Sequence, residues 1–248
     1  MSWLALLLIG LGVTDLVFSA RPMRHVPELV GATVAVGAGL LASLTAPRDL
    51  AALVVVALVV LAWGQAVTRG FASGRAWVPL VVLATAVLTA VALSPAAGTA
   101  DGLLGRWLEV TPVGVLSGLS GDEALLLAGV VLVQLSTGNV LVRLVLRATG
   151  TVDPTRTPGR AVPTYRLKGG RLLGPLERLF IVGLGIAGQL TAASVVVAAK
   201  GLLRWPELQA ARDEHGRGAG IHAVTEYFLV GSFVSWMLAL GSLVLLVG

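Results

Sequence analysis

Seven apolar runs, each close to the length of a bilayer crossing, constrain this chain more than any other feature: residues 3–20, 29–46, 50–68, 76–93, 124–142, 179–203 and 227–247. A helix rises ~1.5 Å per residue, so about 20 apolar residues cover a hydrocarbon core of ~30 Å with every backbone polar group bonded inside the segment. Only 12% of the 248 residues are charged and mean hydropathy is +0.90, too little polar surface for a water-soluble globule of this size. The expected fold class is all-α, a polytopic transmembrane helix bundle of about seven spans embedded in a lipid bilayer.

The basic residues orient those spans. Arg21 and Arg24, Arg69 and Arg75, and the group from Arg143 to Arg178 fall on alternate loops, which the excess of Lys and Arg on cytoplasmic loops assigns to the inside. The first run resembles a secretory signal but carries its charges on the far side, so a retained span with the N-terminus outside is expected. The loop 99–123 is acidic, with Asp101, Glu109, Asp122 and Glu123 against Arg106. Within it Leu103, Leu104, Trp107 and Leu108 fit either a short interfacial helix or a Gly-rich loop. Three regions follow: residues 1–147 with spans one to five, a Pro- and Gly-containing basic cytoplasmic linker at 148–171, and a C-terminal pair of spans at 172–248 with a polar connecting loop.

Composition removes several chemistries. The absence of cysteine rules out disulfides, thiolate metal sites and cysteine nucleophiles, and three scattered histidines form no metal-ligand spacing. A pI near 10.7 is no nucleic-acid signature here, because the cations sit at the ends of apolar runs without interleaved aromatics. GLGIAG at 183–188 formally matches a dinucleotide fingerprint, but it lies inside an apolar run instead of following a strand, so no cofactor is expected. Serines lack a nearby histidine base, and no paired-acid or H-E-x-x-H motif occurs.

The polar residues inside the apolar runs are the candidate site, since ionisable groups at membrane depth are costly unless used or paired. Asp15 is a lone acid in the first span, and an arginine partner, Arg143 or Arg178, is expected for it. Ser136, Asn139, Arg143 and Arg147 recur at helical spacing as one polar stripe. Arg178, Gln189 and Lys200 are separated by eleven residues twice, which places all three on one face of a straight helix over 179–203. Lys200 is expected to pair with Glu226, while simple snorkelling of both cations to the interfaces is the plain structural alternative. Glu177, following Pro175, has a plain reading as a carboxylate at a helix N-terminus. A single tilted crossing of 179–203 leaves Arg204, Arg212 and Arg217 outside, against the charge rule. Two half-helices broken near Gly188 are the alternative. Gly231, Ser235 and Ala239 recur every four residues as a small-residue face suited to a homo- or hetero-oligomer.

GGRLLGPLERLF, AAKGLLRWPEL and TEYFLVGSFVSWMLAL, in that order, resemble the C-terminal half of an uncharacterised family of bacterial polytopic inner-membrane proteins, a domain of unknown function. The resemblance covers about 75 residues of the C-terminal third, with Glu177, Arg178, Lys200, Arg204, Glu226 and Tyr227 at matching positions. Only Asp15 is reminiscent in the N-terminal half. It implies a protein of the bacterial plasma membrane with a charged C-terminal site and no established activity. Three functions remain in play: a transporter or channel for a small ion or solute, a membrane enzyme or binder gripping an anionic phosphorylated lipid headgroup through Arg143, Arg147, Arg166, Lys168 and Arg178, and a structural subunit of a membrane complex.

Overall fold

The computed structural model describes residues 1–21, 23, 25–114, 116, 118–151, 170–195, 197–199, 202 and 219–247. Every regular element among them is helical: α1 Ser2–Ala20, α2 Val26–Leu41, α3 Pro47–Ser73, α4 Trp77–Ala92, α5 Gly102–Val110, α6 Gly121–Leu132, α7 Gly138–Ala148, α8 Gly170–Ile186, α9 Leu190–Ala199 and α10 Ala219–Val247. Four helical stretches are long and apolar enough to cross a membrane: Ser2–Ala20, Pro47–Ser73, Gly121–Ala148 and Thr225–Val247. The shorter apolar helices α2 and α4 have 16 residues each, ~24 Å of rise. The chain divides within α7 into two compact units, Met1–Val140 and Leu141–Gly248.

In the first unit α1 is the hub. Leu4 to Ile9 and Leu11 are buried all round the helix, as expected of a helix apolar on every face, and it packs on α2, α3, α4 and α6. Thr14 of α1 lies against Gly31, and Leu6 lies against Gly39, so α2 runs antiparallel to α1. Gly70 near the end of α3 meets Pro79 near the start of α4, and Gly98 beyond α4 returns to Ser2 and Asp49. Thus α1, α3 and α6 run one way and α2 and α4 the other. α6 starts from a capping box in which Ser120 and Glu123 satisfy each other's backbone N–H.

The acidic loop does contain a helix. In α5 Leu103, Trp107 and Val110 are exposed along one stripe while Leu108 is buried, the pattern of a short amphipathic helix at an interface.

The second unit corrects the expectation of one straight helix over 179–203. α8 ends at Ile186, Gly188 has φ +72°, the Gln189 N–H donates to Leu184 O at 2.8 Å and the Gly188 N–H to Gly185 O at 3.0 Å. This pair of bonds is a Schellman stop, which needs a residue in the left-handed region and takes glycine there without a Cβ penalty. Gln189 then opens α9, its carbonyl accepting from the Ala193 N–H at 3.1 Å. The eleven-residue stripe fails because residues on opposite sides of a left-handed stop share no helix face. Gly188→Ala should cost about 1 kcal/mol by straining that stop, read as a lower melting temperature of the detergent-solubilised protein; an unchanged or raised melting temperature would argue for a continuous helix.

Candidate functional site

Asp15 is an acid buried within the first unit. It is 6% exposed, and its carboxylate accepts from the Trp63 indole N–H at 3.2 and 3.4 Å. Trp63, on α3, is fully buried. Within the first unit the partner is therefore a neutral donor; the expected Arg143 and Arg178 belong to the second unit. The physical reason is economy of desolvation: an indole delivers one hydrogen bond and a large apolar body, without a second charge to strip of water.

Three elements close around that bond. From α2 comes Glu28, 8% exposed, near enough for its charge to act on the Asp15 carboxyl. Its Oε2 is buried without a hydrogen-bond partner. From α3 comes Gly64, next to Trp63, whose missing side chain makes room for Glu28: a Cβ there would overlap Glu28 Cγ and lie 2.7 Å from its Cδ and Oε1. From the segment joining α6 to α7 comes a π turn over Val133–Thr137. Such a turn inserts one residue into the helical register and is frequent at functional sites. Gln134, Ser136 and Thr137 are all buried, and the turn packs on α1, Ser136 at Gly12. Thr137 faces Asp15, yet its buried hydroxyl reaches no partner at hydrogen-bonding geometry. Ser136 Oγ lies 2.7 Å from both Gly12 O and Leu132 O and shares its single proton between them.

The residues of the polar stripe of the fifth span differ in burial. Ser136 is buried against α1, Asn139 is half-buried, and Arg143 and Arg147 are exposed.

At the opposite end of α1 a second indole and carboxylate mirror the first. Trp3 donates to Asp49 Oδ1 at 2.9 Å, the Gly98 N–H donates to the same oxygen at 3.0 Å, and Asp49 is 3% exposed. α1 and α3 thus exchange reciprocal clasps, Trp3 of α1 with Asp49 of α3 and Trp63 of α3 with Asp15 of α1.

In the second unit the same chemistry recurs. Trp236 of α10 donates to Glu177 Oε1 of α8 at 2.9 Å, and Arg178, 1% exposed, donates to Ser235 Oγ at 3.2 Å. Glu177 is therefore a mid-helix carboxylate, since α8 begins at Gly170 and carries Pro175 in its interior, which corrects the reading of it as a helix-start residue. Ser235 and Ala239 are buried within this unit, and Gly231 faces Leu146 and Val142 at 3.7 Å, so the small-residue face is used inside the chain. Gln189 and Glu226 are exposed. Glu226 Oε1 lies 3.5 Å from Thr151 Oγ1, the far limit of a hydrogen bond. Lys200 and Arg204, the linker residues Arg166 and Lys168, and the proposed Lys200 to Glu226 pair lie outside the described residues.

The structure brings together Asp15 with residues the sequence did not single out: Glu28, Trp63 and Thr137. A common signal was present in the tryptophans. Trp3, Trp63 and Trp236 sit inside apolar runs, where a buried indole N–H needs an acceptor. Among the described residues no ion pair reaches Asp15 or Glu28, and no group of three or more His, Cys, Asp or Glu is arranged to hold a metal. Comparison of the chain with protein-family models, with curated proteins and with solved structures gives no match. Fold and site together define an all-helical protein with helices fit to cross a membrane and carboxyl groups buried between them.

Proposed function

We propose that the chain is a multi-pass protein of a bacterial plasma membrane that moves a small ion or solute, with the Asp15 locus as its binding site. The observation that supports this reading is a pair of acids, Asp15 and Glu28, buried between apolar helices without a cationic side chain among the described residues to neutralise them. Such a pair is expensive in hydrocarbon and serves no packing purpose that leucine would not serve better.

The alternating directions of α1, α2, α3, α4 and the α6 to α7 stretch support five passes through residue 148, with the N-terminus outside. The exposed Arg21, Arg69 and Arg75 then lie on the cytoplasmic side together with the basic linker. Glu28 opens α2 on that same side, and α5 lies at the outer interface.

Flux in liposomes tests the reading. The purified protein, reconstituted and placed under ion gradients, should dissipate them as followed by pH- and potential-sensitive dyes, and Asp15→Asn should slow this by roughly tenfold or more. Equal rates for parent and Asp15→Asn, or for liposomes with and without protein, would overturn it.

A further inference from the structure

We infer that the Asp15 locus binds a proton, with Asp15 as the acceptor, Thr137 as the partner of the resulting O–H, and Glu28 as the group that exchanges the proton with water. The inference rests on the reading of this locus as a functional site, and it specifies the ligand.

The buried oxygens carry the argument. Thr137, 1% exposed, faces Asp15 with an oxygen that has no partner. A carboxylate offers that hydroxyl an acceptor, whereas a carboxylic acid offers it a donor. The hydroxyl, as both donor and acceptor, serves either state by rotating. The Trp63 N–H can only donate; shared between the two Asp15 oxygens at 3.2 and 3.4 Å, it holds the carboxyl in place while the carboxyl gains or loses its proton.

Glu28 stands between this interior and the exposed turn. It lies in the first turn of α2, three residues after the exposed His25, and its Oε2 is buried and unpartnered. The step balances simply: hydronium at the turn gives its proton to the Glu28 carboxylate and leaves water. Glu28 then passes the proton to Asp15 and returns to the carboxylate.

A proton fits this locus better than a metal cation because it needs no cavity. The packing is close: Gly64 has no room for a methyl group beside Glu28, and a Cβ on Gly12 would lie 2.6 Å from Leu132 Cβ. The charged groups on the elements around α1 are few. α2 contributes Glu28 at this level, with His25 and Arg21 exposed at the turn before it. α3 contributes neutral Trp63 here, with Arg69 exposed six residues further on; its Asp49, held by Trp3, and its Arg48 lie at the far end of α1. α6 contributes Asp122 and Glu123 at that far end, α4 carries no titratable residue within Trp77–Ala92, and the π turn is uncharged.

Infrared difference spectroscopy of the full-length protein in liposomes, between alkaline and acid buffer, tests this without any transport assay. A carboxylic acid C=O band should appear on acidification, vanish in Asp15→Asn, and change frequency in Thr137→Val, where the O–H loses its partner. In Glu28→Gln the band should persist but form more slowly after a pH jump, by roughly tenfold or more. Asp15→Glu should retain a shifted band, and unchanged circular dichroism identifies folded variants. Absence of any such band in the folded parent at every pH, or its persistence in Asp15→Asn, overturns the proton assignment even if flux is observed. Suppression of the band by sodium or potassium, relative to choline, overturns it in favour of a metal cation. A normal band without flux would leave proton binding standing and defeat the transport reading.

Discussion

Gly31→Ala should destabilise the detergent-solubilised protein by about 1–3 kcal/mol, seen as a clear drop in melting temperature. A Cβ at this position would overlap the Thr14 hydroxyl and stand 2.5 Å from Gly10 O and 3.1 Å from the Thr14 backbone N. A side chain can rotate away, but the backbone of α1 cannot, because the same helix is fixed on its other side by Gly12 against Leu132. Gly37, on the same helix, has nothing within 4 Å of the equivalent point. Gly37→Ala should therefore be neutral or stabilising, by up to about 1 kcal/mol of helix propensity. If both substitutions behave alike, the close approach of α1 and α2 is wrong.

Trp63→Phe should cost about 2–4 kcal/mol, since it strands a buried carboxylate and removes part of a fully enclosed ring. A thermodynamic cycle separates the two contributions. Combined with Asp15→Leu, which removes the acceptor, the indole loss should be less costly by roughly 1–3 kcal/mol. Additivity within about 0.5 kcal/mol would mean that the indole N–H and the carboxylate do not interact.

These residues also show where sequence reasoning stops. Apolar run length marked the long helices because a membrane span is a one-dimensional property, readable from consecutive residues. The amphipathic pattern at 103–108 was visible for the same reason and became α5. Asp15 stood out because an acid is conspicuous in an apolar run. Its indole partner Trp63 did not, because pairing depends on which helices adjoin, and a search by charge alone passes over a neutral donor. Glu28 was overlooked because it lies one residue before the second apolar run, and so counted as a boundary charge. The π turn has no signature in the apolar pattern of 124–142, where a constant 3.6-residue period is assumed. The stop at Gly188 was present as the alternative to a straight helix. Length argued against it, while the Schellman bonds that decide the matter involve backbone groups invisible to hydropathy.

The reciprocal clasps between α1 and α3 carry a consequence for motion. Twelve residues separate Trp3 from Asp15 and fourteen separate Asp49 from Trp63, ~18 and ~21 Å of helix. Two parallel rods pinned to each other at both ends resist shear: sliding one along its axis by roughly 2–3 Å stretches both cross-helix hydrogen bonds past useful length together. Rocking as one body keeps both bonds. Any rearrangement that exposes Asp15 alternately to the two sides must then be carried by α2, or by the α6 to α7 stretch, whose π turn already holds the surplus residue that a change of register requires.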